Sequence, residues 1–248
     1  MNFSLRSKIT WIVFDVDGVL VDPSESYDRA VKYTAEEFLK RIGIQATVEL
    51  DQVRKLRAKG AFGDDFDVSE ALILGAQLSD LETFVETFPE RESVDWVRNR
   101  VSMQIDRDQL VRYFNTVYLG HHHPDRLFEC EGLWKNEKPL VESGLLQQME
   151  LRFRIGVVTG RNRLELKLAE EIIGYHFKNA ITRNEALKPD PRALELLCNT
   201  AAGIYVGDTV NDGMLVERYN RKHGKELFRF VMIGRDVDSV NDFLRSLL

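Results

Sequence analysis

The sequence is short of several features that would place it in other classes. Of its 248 residues only two are cysteines, Cys130 and Cys198. Neither has CxxC spacing or paired histidines beside it. The pattern favours two reduced thiols over a disulfide or a zinc site. No run is long and apolar enough to span a bilayer. The opening residues, Met1 to Lys8, lack the apolar core of a secretory signal. A soluble, cytoplasmic protein is the expectation. Positive charge is also in deficit, with 34 Lys and Arg against 40 Asp and Glu and a net charge of −6. Nucleic-acid phosphates are held by basic surfaces, so a nucleic-acid partner is not expected. A local basic pocket for a small anion remains compatible with that balance. The chain shows neither an internal repeat nor a low-complexity tract.

What is present suits a folded α/β protein. Hydrophobic residues make up 44% and charged residues 30%, enough for both a core and a solvated surface. The length accommodates one α/β domain plus an insertion. Ile9 to Phe14 is a short, almost continuous apolar run bounded by Asp and Gly, which predicts a strand buried on both faces of a parallel sheet. From about Ser24 to Leu119 the pattern turns helical. Tyr27, Ala30, Val31, Thr34, Phe38 and Ile42 recur at three- and four-residue steps. So do Leu81, Phe84, Val85 and Phe88, then Val94, Val97, Val101 and Ile105, then Leu110, Phe114, Val117 and Tyr118. Asp67 or Ser69 is placed to cap a helix holding Ala71, Leu72 and Leu78.

Beyond a polar loop from Gly120 to Pro124, strand-like runs return at Ile155–Val158, Gly203–Val206 and Leu227–Ile233, with a short fourth at Asn179–Thr182. Helical segments separate them, at Leu164–Ile173, Pro191–Cys198, Asp212–Lys222 and Asp238–Leu247. This alternation predicts a doubly wound parallel sheet with helices on both faces. The expected division is an α/β core from residues 1–22 and 125–248, interrupted after its first strand by an all-helical insertion over residues 23–124.

Four segments stand at the carboxyl ends of these strands, where open parallel sheets place ligands. They are Asp15-Val16-Asp17-Gly18, Thr159-Gly160-Arg161, Lys188-Pro189-Asp190, and Gly207-Asp208-Thr209-Val210-Asn211-Asp212. If they converge, Asp15, Asp17, Asp208 and Asp212 crowd one site, and like charges resist joint ionisation. A bound cation resolves the conflict, and carboxylate oxygens suit magnesium. Lys188 adds positive charge, while Thr159 and nearby backbone amides offer donors, so a phosphate fits. Gly18 marks the point where the chain leaves the strand. One carboxylate of the Asp15/Asp17 pair can then attack phosphorus. The other, Asp17, protonates the departing alkoxide and later takes a proton from water.

In order and spacing these segments resemble the four motifs of the haloacid dehalogenase-like superfamily: DxDG, a Ser or Thr after a strand, a Lys, and an acidic pair. The resemblance covers about Ile9–Leu20 and Asn136–Leu248. It implies a Rossmann-like core and an aspartyl-phosphate mechanism. It also implies Mg2+ held by Asp15, the backbone carbonyl of Asp17, and Asp208, with Asp212 in support. The helical insertion is similar in position and class to the family's helical cap, which implies closure over the site and selection of the leaving group. The stretch Lys59 to Asp67 resembles a segment of one subgroup of helical-capped members, without indicating a substrate. Dehalogenase members of the family act on carbon and do not use this second acid of the DxD pair, so the resemblance at Asp17 favours phosphoryl chemistry. It does not separate phosphatase from phosphomutase.

The expected activity is hydrolysis of a small phosphorylated metabolite, with Asp15, Asp17, Thr159 and Lys188 catalytic. A phosphomutase acting on a sugar phosphate, and a non-catalytic binding or regulatory protein on the same fold, are the alternatives. Around this set the roles are open. Arg161 is placed either to touch substrate or phosphate or to form a surface salt bridge. Gly160 belongs to the same substrate-side loop. Asn211 either supports the acidic loop or caps the next helix. Lys59, near Gly60 and Gly63, is a candidate specificity residue in the insertion. Its basic neighbours Arg54, Lys55 and Arg57 read either as a solvated helix face or as a phosphate-recruiting patch. His121, His122 and His123 look like metal ligands, but consecutive histidines point in different directions; an exposed hinge loop is favoured, with substrate contact the alternative because the insertion returns to the core near here. Trp96 and Trp134 are expected to pack in cores. The assembly is expected to be a monomer or homodimer.

Overall fold

The computed structural model describes residues 9–248. The opening residues 1–8, on which the reading of no secretory signal rests, lie outside them. Two compact units emerge, one formed by the chain up to Asp22 together with Lys138–Leu248, the other by Pro23–Glu137.

The first unit opens with β1 (Trp11–Phe14) and the two-residue β2 (Val21–Asp22). The second unit then runs through α1 (Tyr27–Arg41), α2 (Leu50–Lys59), α3 (Asp65–Gly75), α4 (Leu81–Thr87), α5 (Asp95–Arg98) and α6 (Arg107–Leu119). Two 3-10 turns follow, at Gly120–His122 and Leu133–Asn136. The chain re-enters the first unit at β3 (Lys138–Pro139) and continues through α7 (Leu145–Glu150), β4 (Arg154–Val158), α8 (Arg163–Ile173), β5 (Ala180–Ile181), α9 (Arg192–Cys198), β6 (Gly203–Gly207), α10 (Val210–His223), β7 (Phe228–Met232) and α11 (Val240–Arg245).

The five longer-range strands form one parallel sheet in the order β5-β4-β1-β6-β7. β1 is central and all four of its residues are buried, as a strand covered on both faces requires. Successive side chains alternate between the faces. Ile12 and Phe14 join Ile155, Val157, Ile204 and Val206 under α7, α8 and α11. Trp11 and Val13 join Val158, Tyr205 and Phe228 under α9 and α10. The sheet is therefore doubly wound, and each large apolar side chain it buries contributes about 1.5–3 kcal/mol. Since all five strands run the same way, the residues that follow β1, β4 and β6 leave the sheet along one edge.

In the helical unit α1 packs against α2, α3 and α6. Its buried residues, Ala30, Val31, Thr34, Ala35, Phe38 and Leu39, repeat at helical spacing. α3 is buried from Val68 to Gly75. Glu70 lies in that stretch and accepts hydrogen bonds from Arg98 (2.7 Å to each oxygen) and Arg107 (3.0 Å).

Several details differ from the sequence expectation. The N-cap of α3 is Asp64, whose side chain accepts from the Asp67 amide, so the helix starts before Asp67 and Ser69, and it ends before Leu78. Val94 to Ile105 is not one helix. Only α5 is helical there, and from Val101 to Ile105 half-buried residues alternate with exposed Ser102 and Gln104. The same apolar residues thus satisfy a two-residue period, and Asp106 starts a new helix by capping the Gln109 amide. The helical unit reaches Glu137 rather than residue 124. Buried Glu137 ties the later segment in by accepting from Ser26 (2.7 Å) and Tyr118 (3.0 Å). β2 and β3 pair as a small antiparallel ribbon, too short to show any period in the sequence.

Candidate active site

Three of the four sequence segments begin where a strand ends, and the third, at Lys188, does not: β5 stops at Ile181, so Lys188 stands seven residues further on. Asp15 directly follows β1, and its amide still bonds to the Val206 carbonyl at 2.9 Å. Thr159 follows β4, and its amide bonds to Ile181 at 3.0 Å. Asp208 follows β6, and Lys188 lies in the loop between β5 and α9. With β4, β1 and β6 adjacent in the sheet, these residues meet.

The meeting point is built around the Lys188 ammonium. It lies 2.7 Å from Asp15 Oδ2 and 2.8 Å from Asp212 Oδ1. Its side chain is 12% exposed, and that of Asp212 is fully buried. Burial opposes the lysine charge, but Asp15 and Asp212 outweigh it and hold the pKa above the ordinary ammonium value. Asp15 responds in the opposite sense. Burial drives its pKa up to about 7, Lys188 pulls it down, and Asp212 and Asp17 push it further up. Asp208 is raised to about 6, first by burial and then by Asp212.

Oxygens of Asp15, Asp208 and Asp212 all lie within 4.8 Å of one another. Asp208 Oδ1 is buried with no hydrogen-bond partner among the described residues, an arrangement that costs free energy unless something positive satisfies it. Three clustered carboxylates with one orphaned oxygen fit a hard divalent cation. The carboxylate of Asp17 stands apart from this trio. It is gripped by Arg161, whose Nη2 donates to Oδ1 at 2.6 Å and whose Nε lies 3.1 and 3.2 Å from the two oxygens.

Local chemistry explains the placement. Gly18 adopts φ +72°, and a Cβ there would lie 2.0 Å from Asp208 Oδ2. Only glycine lets the first loop pass so close to the fourth. Asp212 is fixed by the helix it begins. Thr209 caps α10, and its hydroxyl and amide donate to Asp212 Oδ2 at 2.6 and 3.0 Å. Thr159 is buried, and its Oγ1 accepts from the Arg161 amide at 3.1 Å. Gly160 is exposed beside it.

Arg161 is neither at the surface nor free to reach outward, because its side chain is fully buried. Lys59 lies in the helical unit and donates to the Val85 and Glu86 carbonyls at 3.0 and 2.5 Å, which secures the end of α4. Arg54 and Arg57 pair with buried Asp28, Arg57 also with Asp65, and Lys55 with Asp51. That basic cluster is an ion-pair network. Asn211 is exposed inside α10, whose cap is Thr209. His121 is exposed and lies between Glu129 (3.1 Å) and Glu131 (3.5 Å). Trp134 is buried, Trp96 is half-buried, and both cysteines are free. No helix among the described residues is long and apolar enough to cross a membrane.

Tyr205 has no counterpart in the sequence reading. Its hydroxyl lies 3.0 Å from the Val158 carbonyl and 3.1 Å from Asp212 Oδ1. Burial and then the nearby carboxylates push its phenol far above the ordinary value, so it stays a donor. Within the run Gly203–Gly207 it looks like one more apolar strand residue, and only the fold shows what its hydroxyl meets.

Comparison with known proteins agrees with this geometry. Residues 9–215 match the family of haloacid dehalogenase-like hydrolases. No curated protein matches the chain. Among solved structures, the phosphatase Tt82 from Thermococcus thioreducens is similar at 53% identity and TM-score 0.89, covering 96% of this chain and 98% of that one. A haloacid dehalogenase-superfamily hydrolase of subfamily IA from Geobacter sulfurreducens shares the fold at 15% identity and TM-score 0.51, covering 97% of each chain. The chain belongs to the haloacid dehalogenase-like hydrolases.

Proposed function

We propose that the protein is a magnesium-dependent phosphatase that hydrolyses a small phosphorylated metabolite through an aspartyl-phosphate. The observation that carries this reading is the Lys188 ammonium held between Asp15 and Asp212, with the orphaned oxygen of Asp208 beside them. A buried positive charge, a candidate nucleophile and a candidate cation site thus share one small space. The similarity to a protein described as a phosphatase supports the same reading.

Asp15 is the nucleophile. A bond forms from its carboxylate oxygen to phosphorus while the bond to the leaving oxygen breaks, and that oxygen takes a proton from the Asp17 carboxyl. Water then attacks the aspartyl-phosphate and gives its proton to Asp17. The electron pair of the breaking P–O bond returns to Asp15, and inorganic phosphate departs. Thr159, the Gly160 amide and Lys188 hold the transferring oxygens. Asp15, Asp208 and Asp212, with the backbone carbonyl of Asp17, would hold Mg2+, which when bound supplies positive charge to the phosphoryl group. Thr209 and Tyr205 keep Asp212 in place.

The test is phosphate release from a panel of phosphorylated metabolites by wild type and Asp15→Asn, with magnesium and with EDTA. Magnesium-dependent release by wild type alone is expected. Release by Asp15→Asn at the wild-type rate would remove the nucleophile assignment. An isomerised sugar phosphate without net phosphate release would make the protein a mutase.

A further inference from the structure

We infer that Arg161 is a positioning residue for the proton transfer, holding the Asp17 carboxylate in the orientation from which it serves the leaving oxygen. The inference rests on the reading of Asp17 as general acid and base. It reassigns Arg161, which the sequence alone leaves between substrate ligand and surface ion pair.

The geometry is one-sided. Asp17 Oδ1 receives Nη2 at 2.6 Å and Nε at 3.1 Å, whereas Oδ2, among the described residues, receives Nε alone at 3.2 Å. The guanidinium fork therefore fixes the carboxylate plane and leaves Oδ2 less engaged, as the oxygen to carry the proton. Exposure separates the two partners: the Asp17 side chain is 31% exposed and that of Arg161 is 0% exposed. Asp17 can meet a leaving group, and Arg161 acts through it.

Arg161 is itself braced. Its amide donates to Thr159 Oγ1 at 3.1 Å, and its carbonyl accepts from the Arg183 amide at 3.0 Å. Its Nη1 donates to the Glu165 carbonyl at 3.3 Å. Buried Glu165 pairs with Arg183 at 2.8 Å and accepts from the Asn162 amide at 2.9 Å, closing the capping box of α8. A buried arginine is costly to desolvate. Here the first turn of α8 and the loop after β4 hold it rigidly against one catalytic carboxylate, which is the support a tightly oriented acid requires.

The test compares wild type, Arg161→Met, Arg161→Lys, Asp17→Asn and the double variant Asp17→Asn/Arg161→Met. The substrates are phosphate esters whose leaving groups run from acidic nitrophenol to simple alcohols. An alcohol must be protonated as it leaves, and nitrophenolate need not be. Arg161→Met is expected to lose about 10²-fold in kcat on alkyl phosphates and under about threefold on p-nitrophenyl phosphate, with KM nearly unchanged. The double variant is expected to be no worse than Asp17→Asn, because the two side chains act as one unit. If Arg161→Met does not fold, Arg161→Lys keeps the charge without the fork and is expected to show the same leaving-group dependence, reduced to about tenfold. A loss equal across all leaving groups would overturn the proposal, as would a rise in KM alone or additive losses in the double variant. Should Asp17→Asn itself show no leaving-group dependence, the acid role of Asp17 falls and this proposal with it; a dependence in Asp17→Asn that is absent from both Arg161 variants sinks the proposal alone.

Discussion

Gly18→Ala tests the site at its tightest point. Two separate costs follow from the structure. The backbone at Gly18 has φ +72°, and an alanine there costs about 1–2 kcal/mol. For a chain of this size that lowers the melting temperature by about 2–8 °C. The second cost is a collision, because the new Cβ would sit 2.0 Å from Asp208 Oδ2 and 2.7 Å from its Cγ. Ordinary contact needs about 3.5 Å, so the carboxylate must retreat by roughly 1.5 Å. Magnesium tolerates little departure from its octahedral distances, and a misplacement of that size costs about 10²-fold in turnover. Gly174→Ala is the control. Its φ is +69°, and a Cβ there meets nothing within 4 Å. Both variants should melt earlier, Gly18→Ala by at least as much as Gly174→Ala because the collision adds to the backbone cost, but only Gly18→Ala should need more magnesium and lose turnover. The assay is a thermal melt by circular dichroism beside magnesium titrations of phosphate release. Wild-type turnover and magnesium dependence in Gly18→Ala would refute the claim that Asp208 is held against the first loop to serve the metal.

Other expectations follow from the same site. Lys188→Met leaves buried Asp15 and Asp212 without their shared counter-charge; a loss of about 3 kcal/mol and a melt lowered by about 6–12 °C are expected without magnesium, and an unchanged melt would show that the lysine is not buried between them. Asp15 and Asp208 have pKa values raised to about 7 and about 6 from an ordinary 3.8. The metal-free fold therefore binds more protons than the unfolded chain between about pH 4 and 7, and loses stability as pH rises through that window. Magnesium must displace those protons, so its stabilising effect on the melt should be larger at pH 7.5 than at pH 5, and the reverse order would count against Asp15 and Asp208 as its ligands. Tyr205→Phe removes the donor to Asp212 and Val158; it should weaken magnesium activation by about tenfold with little change in KM at saturating metal, and unaltered activation would reduce Tyr205 to core packing.

Much of this was legible along the chain because the deciding forces are local or periodic. The run ending in Phe14 had to be a doubly buried strand, and the alternation of strands and helices after Gly120 had to wind a parallel sheet. Asp15, Thr159 and Asp208 could be picked out since each directly follows a strand, and Asp17, Lys188 and Asp212 because they stand in the same short charged segments or in the loop beyond β5. Their residue types also conflict in charge unless a cation and an anion join them. Periodicity misled where one set of residues satisfies two periods, as at Val101 and Ile105. It was silent where an element is two residues long, as in the β2–β3 ribbon.

The sequence by itself determined the inventory of the site and the architecture that gathers it, for both depend on residue type and on spacing along the chain. Only the tertiary structure decided what each charge faces. Lys59 and Arg161 are both cations in promising segments. The first binds the end of a helix and the second grips Asp17, because their neighbours come from positions 26 and 144 residues away. The Tyr205 hydroxyl and the collision waiting at Gly18 belong to the same class. They arise where strands and loops distant in sequence pack within a few ångströms, and distances of that kind leave no trace in the order of residues.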